Sequence, residues 1–318
     1  MPEKLAIGVD LGGTKILASL VNLDNGRIIV SAKKKTRTVE NGLDLVKRII
    51  ATIEECMEAA DIGDKKLQGI GIGAAGMVDR ERGILLAAAN LGANDVPLKA
   101  PIEERFGLKV TLGNDVEVAT IGEQNFGAGR DCKHFVCIFV GTGIGSGLVV
   151  DGKIQRGFTG TAGEIGHIPV IPDGRPCGCG GFGCLEAYSS RTAIARNILF
   201  DLSRGFDSVL RDRIDQDKGI LRSKAISQAI EAQDMVTIRS IETAAYYMGI
   251  GLSTVINFVN PQRIILGGGL IEAIPDYINR AMEEAKRRAL KIPGRKTEIV
   301  RAELGDYAGS IGAALLTR

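Results

Sequence analysis

The chain has 318 residues, 45% hydrophobic and 25% charged, with a net charge of +2 from 40 basic and 38 acidic side chains. That composition describes a globular protein with room for two domains, and it gives no electrostatic reason to expect nucleic acid or an anionic membrane as a partner. The opening MPEKLAIGVD lacks the apolar stretch of a secretion signal, so the cysteines are expected as thiols or metal ligands in the cytoplasm.

In chain order, strands are expected at residues 5–10, 15–22 and 27–35, the last two joined by the turn signal LDNG. A helix follows, with Val46, Ile49, Ile50, Ile53, Met57 and Ala60 at helical spacing. Next come a glycine-rich strand over 68–73, a long loop to about residue 97, a short helix near Ile102, a strand ending in TLGND and a helix over about 116–125. From residue 133, HFVCIFVGTGIGSGLVVDGKIQ again reads strand, tight glycine turn, strand, turn, strand, and its LVVDGKI echoes LVNLDNGRII of the first half. Two such units imply two α/β domains with a ligand cleft between them. The expected division is 1–115 and 116–299, with about 300–318 returning to the first domain. The uncharged run 243–262 places Ala244, Met248, Leu252, Val255 and Val259 on one helical face, the pattern of a buried helix rather than a membrane span. The basic stretch KRRALKIPGRK at 286–296 is expected as a solvated helix end and turn.

Three glycine turns follow strands: DLGGTK (10–15), GTGIGSG (141–147) and LGGGL (266–270). Any one of them is accounted for by a hairpin that needs positive φ. Three at strand C-terminal ends favour phosphate binding by backbone N–H groups. This assigns Asp10, Gly12, Gly13, Thr14 and Lys15 to a first phosphate turn, Gly141, Thr142 and Gly143 to a second, and Gly267, Gly268 and Gly269 to a third. Asp10 suits Mg²⁺, directly or through water, and Lys15 suits phosphate. No G-x-x-x-x-G-K-[ST] is present, which excludes a P-loop. GIGAAG at 71–76 is not followed by a helical pattern, which argues against a dinucleotide-binding domain, and Gly76 is instead expected to bring backbone close to a small ligand.

TLGNDVEVA puts Asn114 and Asp115 at a strand–helix junction, where either is an ordinary N-cap and where a carboxylate can also serve as general base. Beside phosphate turns, such a base points to ATP-dependent transfer. Cys177, Cys179 and Cys184 form C-x-C-x4-C, with His167 ten residues before the first. Three thiolates and an imidazole complete a tetrahedral zinc shell, but the spacing is not that of a zinc finger. On the residues alone, a metal-held loop and a glycine-rich loop of free thiols both stand.

DLGGTK, GND, GTGIGSGLVVDGKIQRGFTGTAGEIGH, CGCGGFGCLEA and LGGG, in this order and spacing, resemble the ROK family (repressors, open reading frames and kinases) from about residue 5 onward. Its kinase branch, with the bacterial glucokinases foremost, is the most similar. The resemblance implies an actin-like, ribonuclease-H-like duplicated fold closing on ATP and a sugar, and phosphorylation of a hexose, glucose first, at its 6-hydroxyl. It implies Asp115 as the base, Asn114 on neighbouring hydroxyls, and Glu164, His167 and Glu186 as sugar contacts, with Asn90 and the Gly76 backbone as lesser ones. Mg²⁺ would accompany ATP. Structural zinc would sit on His167, Cys177, Cys179 and Cys184, with the second His167 nitrogen turned to the sugar, and the protein would be a homodimer.

The segment AAANLGANDVPLK at 87–99 is similar to the family's sugar loop, although many members carry Trp where Ala93 stands and often Pro where Ala75 stands. Those departures leave fructose, mannose, allose and N-acetylmannosamine open as substrates. ROK repressors are the competing class. They carry a helix-turn-helix ahead of the first glycine turn, for which a turn at residue 10 leaves no room, and the near-zero net charge also counts against DNA binding.

Overall fold

The computed structural model describes residues 3–36, 42–60, 67–88, 91–216 and 221–318. The chain divides into two compact units: residues 1–131 with 306–318, and residues 132–305.

The first unit contains β1 (Leu5–Leu11), β2 (Lys15–Asn22), β3 (Ile28–Lys35), α1 (Gly42–Ala59), β4 (Leu67–Ala74), β5 (Met77–Asp79), β6 (Ile84–Ala88), β7 (Ala93–Pro97), α2 (Lys99–Phe106), β8 (Val110–Asn114) and α3 (Asp115–Phe126). Its main sheet has the order β3-β2-β1-β4-β8. The first three strands form an antiparallel meander, and β4 and β8 run parallel to β1. Side chains alternate across a strand. Leu5, Ile7, Val9 and Leu11 accordingly share one core with Leu45, Ile49 and Ile53 of α1.

The second unit runs through β9 (Phe135–Val140), β10 (Ile144–Val150), β11 (Lys153–Gln155), α4 (Glu186–Ser189), α5 (Arg191–Ser203), α6 (Arg211–Gln216), α7 (Ser223–Glu231), α8 (Met235–Val259), β12 (Arg263–Gly267), α9 (Gly269–Ala273), α10 (Pro275–Arg288), α11 (Lys291–Lys296) and β13 (Glu298–Arg301). Its sheet order is β11-β10-β9-β12-β13. Strand for strand this matches the first sheet, with an antiparallel meander followed by two strands parallel to its first member. The echo read in the sequence is thus a duplicated, ribonuclease-H-like topology. Helix α8 buries Ala244, Met248, Leu252 and Val255, as its periodicity demands, starts at the Asp234 cap and ends at Asn260 in the left-handed region. Among the described residues no helix is long and apolar enough to cross a membrane. Lys286, Arg287 and Arg288 form the exposed last turn of α10, as expected of the basic stretch.

Helix α12 (Ala308–Leu315) belongs to the first unit. It lies on the face of the main sheet opposite α1, with no side chain between the backbones. A Cβ on Gly8 of β1 would strike the carbonyl of Ser310, and one on Gly71 of β4 that of Ala313. Gly312 in turn lies against the carbonyl of Val118 in α3.

Three particulars differ from the sequence reading. The compact units divide at 131/132 rather than after 115, because α3 packs on α12 within the first unit. The expected long loop before residue 97 is largely an antiparallel sheet, β5-β6-β7, whose strands of three to five residues are too short to show a period. Of the C-terminal segment, only residues 306–318 belong to the first unit, since β13 completes the second sheet beside β12.

Candidate functional site

In the first unit the candidate residues gather at the ends of β1 and β8. The turn between β1 and β2 is closed by Gly12 N–H donating to the Lys15 carbonyl at 2.9 Å. Thr36 braces it, its N–H donating to Thr14 O at 3.0 Å and its hydroxyl to Gly12 O at 2.9 Å. Lys15 Nζ donates to Asp306 Oδ1 at 2.9 Å. Asp10, at the penultimate position of β1, packs its carboxyl against the first turn of α12, where a Cβ on Gly309 would come within 2.8 Å of Asp10 Cγ. Burial pushes the Asp10 pKa up to about 6; Lys15 pulls it down, while the charges of Asp115 and Asp306 add to the rise. Asp306, not singled out in the sequence, thus pairs with Lys15 and adds its charge to that of Asp115 near Asp10. It lies 291 positions from Lys15, so no local pattern could have signalled it.

Asn114 ends β8 and caps α3. Its Oδ1 accepts from the N–H groups of Val116 (3.0 Å) and Glu117 (3.2 Å), and its Nδ2 donates to the Gly76 carbonyl at 3.2 Å. A single amide hydrogen remains for a ligand. Asp115 is the first residue of α3, a position that favours a carboxylate. Gly76 has φ +140°, and a Cβ there would clash with the carbonyl of Ala87 in β6. Its glycine is therefore required by the neighbouring strand, a reason different from the ligand approach expected. Two residues beyond Asp115, the buried Glu117 is paired with Arg80, which follows β5 and so ties the small sheet to the start of α3. Ala93 is 4% exposed and belongs to the core shared with α1, so its side chain faces protein. Asn90 lies outside the described residues.

In the second unit, His167, Cys177, Cys179 and Cys184 converge. Their ligand atoms all lie within 4.8 Å of one another, with Cys179 Sγ to Cys184 Sγ and Cys177 Sγ to His167 Nδ1 both at 3.7 Å. A tetrahedron with metal–sulfur bonds of about 2.3 Å has edges of roughly 3.8 Å. The four residues fit a metal ion in number, donor type and spacing. The loop is folded by backbone bonds from Cys177 N–H to Gly181 O (2.9 Å), Gly183 N–H to Arg175 O (2.8 Å) and Val170 N–H to Gly183 O (2.8 Å). Gly183, at φ +73°, leaves no space for a Cβ beside the Ile171 carbonyl. Arg175 adds a stack on the Tyr188 ring, 4.7 Å from its centroid.

His167 turns Nδ1 to the sulfurs and leaves Nε2 without a partner among the described residues. Glu164 immediately precedes the short 3₁₀ turn Ile165–His167, makes no side-chain capping bond to it and is exposed. Glu186, the first residue of α4, reaches back to the second glycine turn. Its Oε2 accepts from Ile144 N–H at 2.8 Å, and its Oε1 lies 3.8 Å from Cys177 Sγ. It thereby links the His/Cys cluster to the Gly141–Gly143 turn, in which Gly141 N–H donates to Gly143 O at 2.9 Å. In the third turn, a Cβ on Gly268 (φ +96°) would come within 2.6 Å of Val140 O, whereas at Gly269 it would meet open space. Gly268 is thus required by packing on β9, and Gly269 leaves room for something else.

A duplicated ribonuclease-H-like α/β fold, with glycine turns after its strands and a carboxylate at a strand–helix junction, has the parts that phosphoryl transfer requires. The sequence profile of the ROK family matches residues 6–318, and the chain belongs to that family. It is 34% identical to a glucokinase of Halalkalibacterium halodurans over 100% of this chain and 96% of that one. A putative xylose repressor of Caldicellulosiruptor is also 34% identical, over 83% of this chain and 65% of that one. Among solved structures, a ROK-family glucokinase from Streptomyces griseus in complex with glucose and AMPPNP superposes with a TM-score of 0.83 at 35% identity, over 98% of each chain.

Proposed function

We propose that this chain is an ATP-dependent hexose kinase that phosphorylates the 6-hydroxyl of glucose. The observation that carries the reading is the full-length similarity to glucokinases, together with a carboxylate, Asp115, just beyond β8 and near Asp10. In this reading Asp115 accepts the proton of the 6-hydroxyl as the sugar oxygen attacks the γ-phosphorus and the bond to ADP breaks. Mg²⁺ bound with ATP would offset the negative charge of the phosphates, and Asp10 is the residue to hold it, directly or through water. Lys15 and the turns at 12–15, 141–143 and 267–269 receive phosphate.

Zinc is the ion that three thiolates and one imidazole select, and with four protein ligands it is structural. It would fix the loop that presents Glu164, His167 Nε2 and Glu186 to sugar hydroxyls, aided by the remaining amide hydrogen of Asn114, the Gly76 backbone and Asn90. The homodimer is proposed on the family resemblance.

ADP release measured over a panel of glucose, fructose, mannose, allose and N-acetylmannosamine tests the reading, with glucose expected to give the highest kcat/KM. No turnover with any hexose would overturn it. The similarity to a xylose repressor supports a second reading, a sugar-sensing regulator. That reading expects sugar binding without ADP release and sugar-dependent DNA binding by the natural protein.

A further inference from the structure

The Gly141–Gly143 turn is asymmetric in a way that its sequence hides. On one side, the Glu186 carboxylate occupies Ile144 N–H and fills the space that a Cβ on Gly143 would need. That end of the turn repels anions. On the other side, the N–H groups of Thr142 and Gly143 have no acceptor among the described residues, and a Cβ on Gly141 would meet open space. Beside them stands Arg191. Its Nη2 donates to Thr142 Oγ1 at 2.7 Å, a neutral partner, and its half-buried guanidinium forms no ion pair among the described residues. A guanidinium offers five N–H donors and retains its charge, so most of its donor capacity is uncommitted here. Partial burial without a counter-ion disfavours the charge, and its pKa is lowered accordingly. Such a group is poised for an anion.

We infer that Arg191 is a phosphate-binding residue of this turn, donating to the phosphate oxygens of the nucleotide alongside the N–H groups of Thr142 and Gly143. The inference rests on the kinase reading for the identity of the anion, a nucleoside polyphosphate. The turn does not depend on the guanidinium for its shape, because Arg191 N–H also donates to Gly141 O at 3.0 Å and the Thr192 hydroxyl to Thr142 O at 2.8 Å. Truncating the side chain leaves both bonds in place.

The test compares Arg191→Ala and Arg191→Lys with the natural protein in three measurements: calorimetric binding of ADP and of inorganic tripolyphosphate without sugar, steady-state kinetics varying ATP and hexose separately, and thermal melting. Arg191→Ala is expected to weaken ADP and tripolyphosphate binding, and to lower kcat/KM for ATP, by roughly 10- to 100-fold, the usual worth of charge-assisted hydrogen bonds. The hexose KM and the melting temperature should stay at their natural values. Arg191→Lys, with the charge but not the fork, should recover part of the loss, and it serves as the test should the alanine variant fold poorly. Natural affinity for ADP and tripolyphosphate in Arg191→Lys together with Arg191→Ala would overturn the inference, as would a loss that appears only in the hexose KM. Absence of hexose turnover in the natural protein would instead count against the kinase reading, and the binding measurements would still decide the role of Arg191.

Discussion

The β1–β2 and β9–β10 turns occupy equivalent places in sheets of the same topology, yet they are supplied with charge in opposite ways. The first carries its own: Asp10 and Lys15 flank the glycines, and Asp306 arrives from the C-terminal segment to bind Lys15. The second, Gly141–Gly143, contains no charged residue and borrows Arg191 and Glu186 from helices that follow the metal loop. Their glycines differ too. A methyl group at Gly12 would meet only the Lys15 carbonyl, at 3.4 Å, whereas one at Gly143 would displace Glu186. Duplication of a topology thus reproduces backbone geometry, while the chemistry at each copy is set by whichever later segments pack against it.

The largest expected break in this comparison is on the first side. Asp115→Ala should lower kcat by roughly 10² to 10⁴-fold with metal content and melting unchanged, and near-natural turnover would remove Asp115 as the base. Next comes the metal that is expected to hold the second side in place. The natural protein should carry one zinc per chain by atomic emission, and Cys184→Ser should lose it with a melting decrease on the order of 10 °C. Retained zinc in that variant would refute the four-ligand assignment. A smaller effect separates the two turns directly. Gly143→Ala should cost about 1.5–3 kcal/mol in urea unfolding by breaking the bond between Glu186 and Ile144, while Gly12→Ala should change stability by less than about 0.5 kcal/mol. Equal costs would show that the turns are alike after all.

The smallest effect concerns Asp10. Its folded pKa of about 6 lies above that of an unfolded aspartate, so its favourable contribution is complete below about pH 4 and is lost as pH rises through 6. Asp10→Asn should therefore unfold at higher urea than the natural protein at pH 7.5, by about 1–2 kcal/mol, with the difference vanishing near pH 4. The same variant should lose activity, the usual relation between a strained site and its function. Equal stability at pH 7.5 would show that the carboxylate is not held in a costly environment.

Much of the fold was legible because its signals are local. The LDNG turn, the apolar spacing in α8 and the strand-turn-strand echo near residue 133 each report on a few neighbouring residues. The His/Cys cluster was legible for the same reason, since its three cysteines fall within eight residues and His167 lies ten before them. What escaped depends on distant partners or on elements too short to carry a period. The β5-β6-β7 sheet read as a loop, and nothing near Lys15 announces Asp306. Asn114 could be read as a cap, but its grip on Gly76 spans 38 positions. Glu186 could be placed beside the metal ligands, but its bond to Ile144, 42 positions away, is a product of the fold.

The close seating of α12 on β1 and β4 has a consequence for how the protein is made. Residues 306–318 leave the ribosome only after the whole of 132–305, yet they cover one face of a sheet whose first strand began at Leu5. Until they arrive, Gly8 and Gly71 expose bare backbone, and Ser19 lacks its Ser310 partner. The second unit, continuous in sequence, can mature as it is synthesised, whereas the first must wait for residues 306–318. A nascent first unit is therefore the stage at which chaperone binding or aggregation would be met.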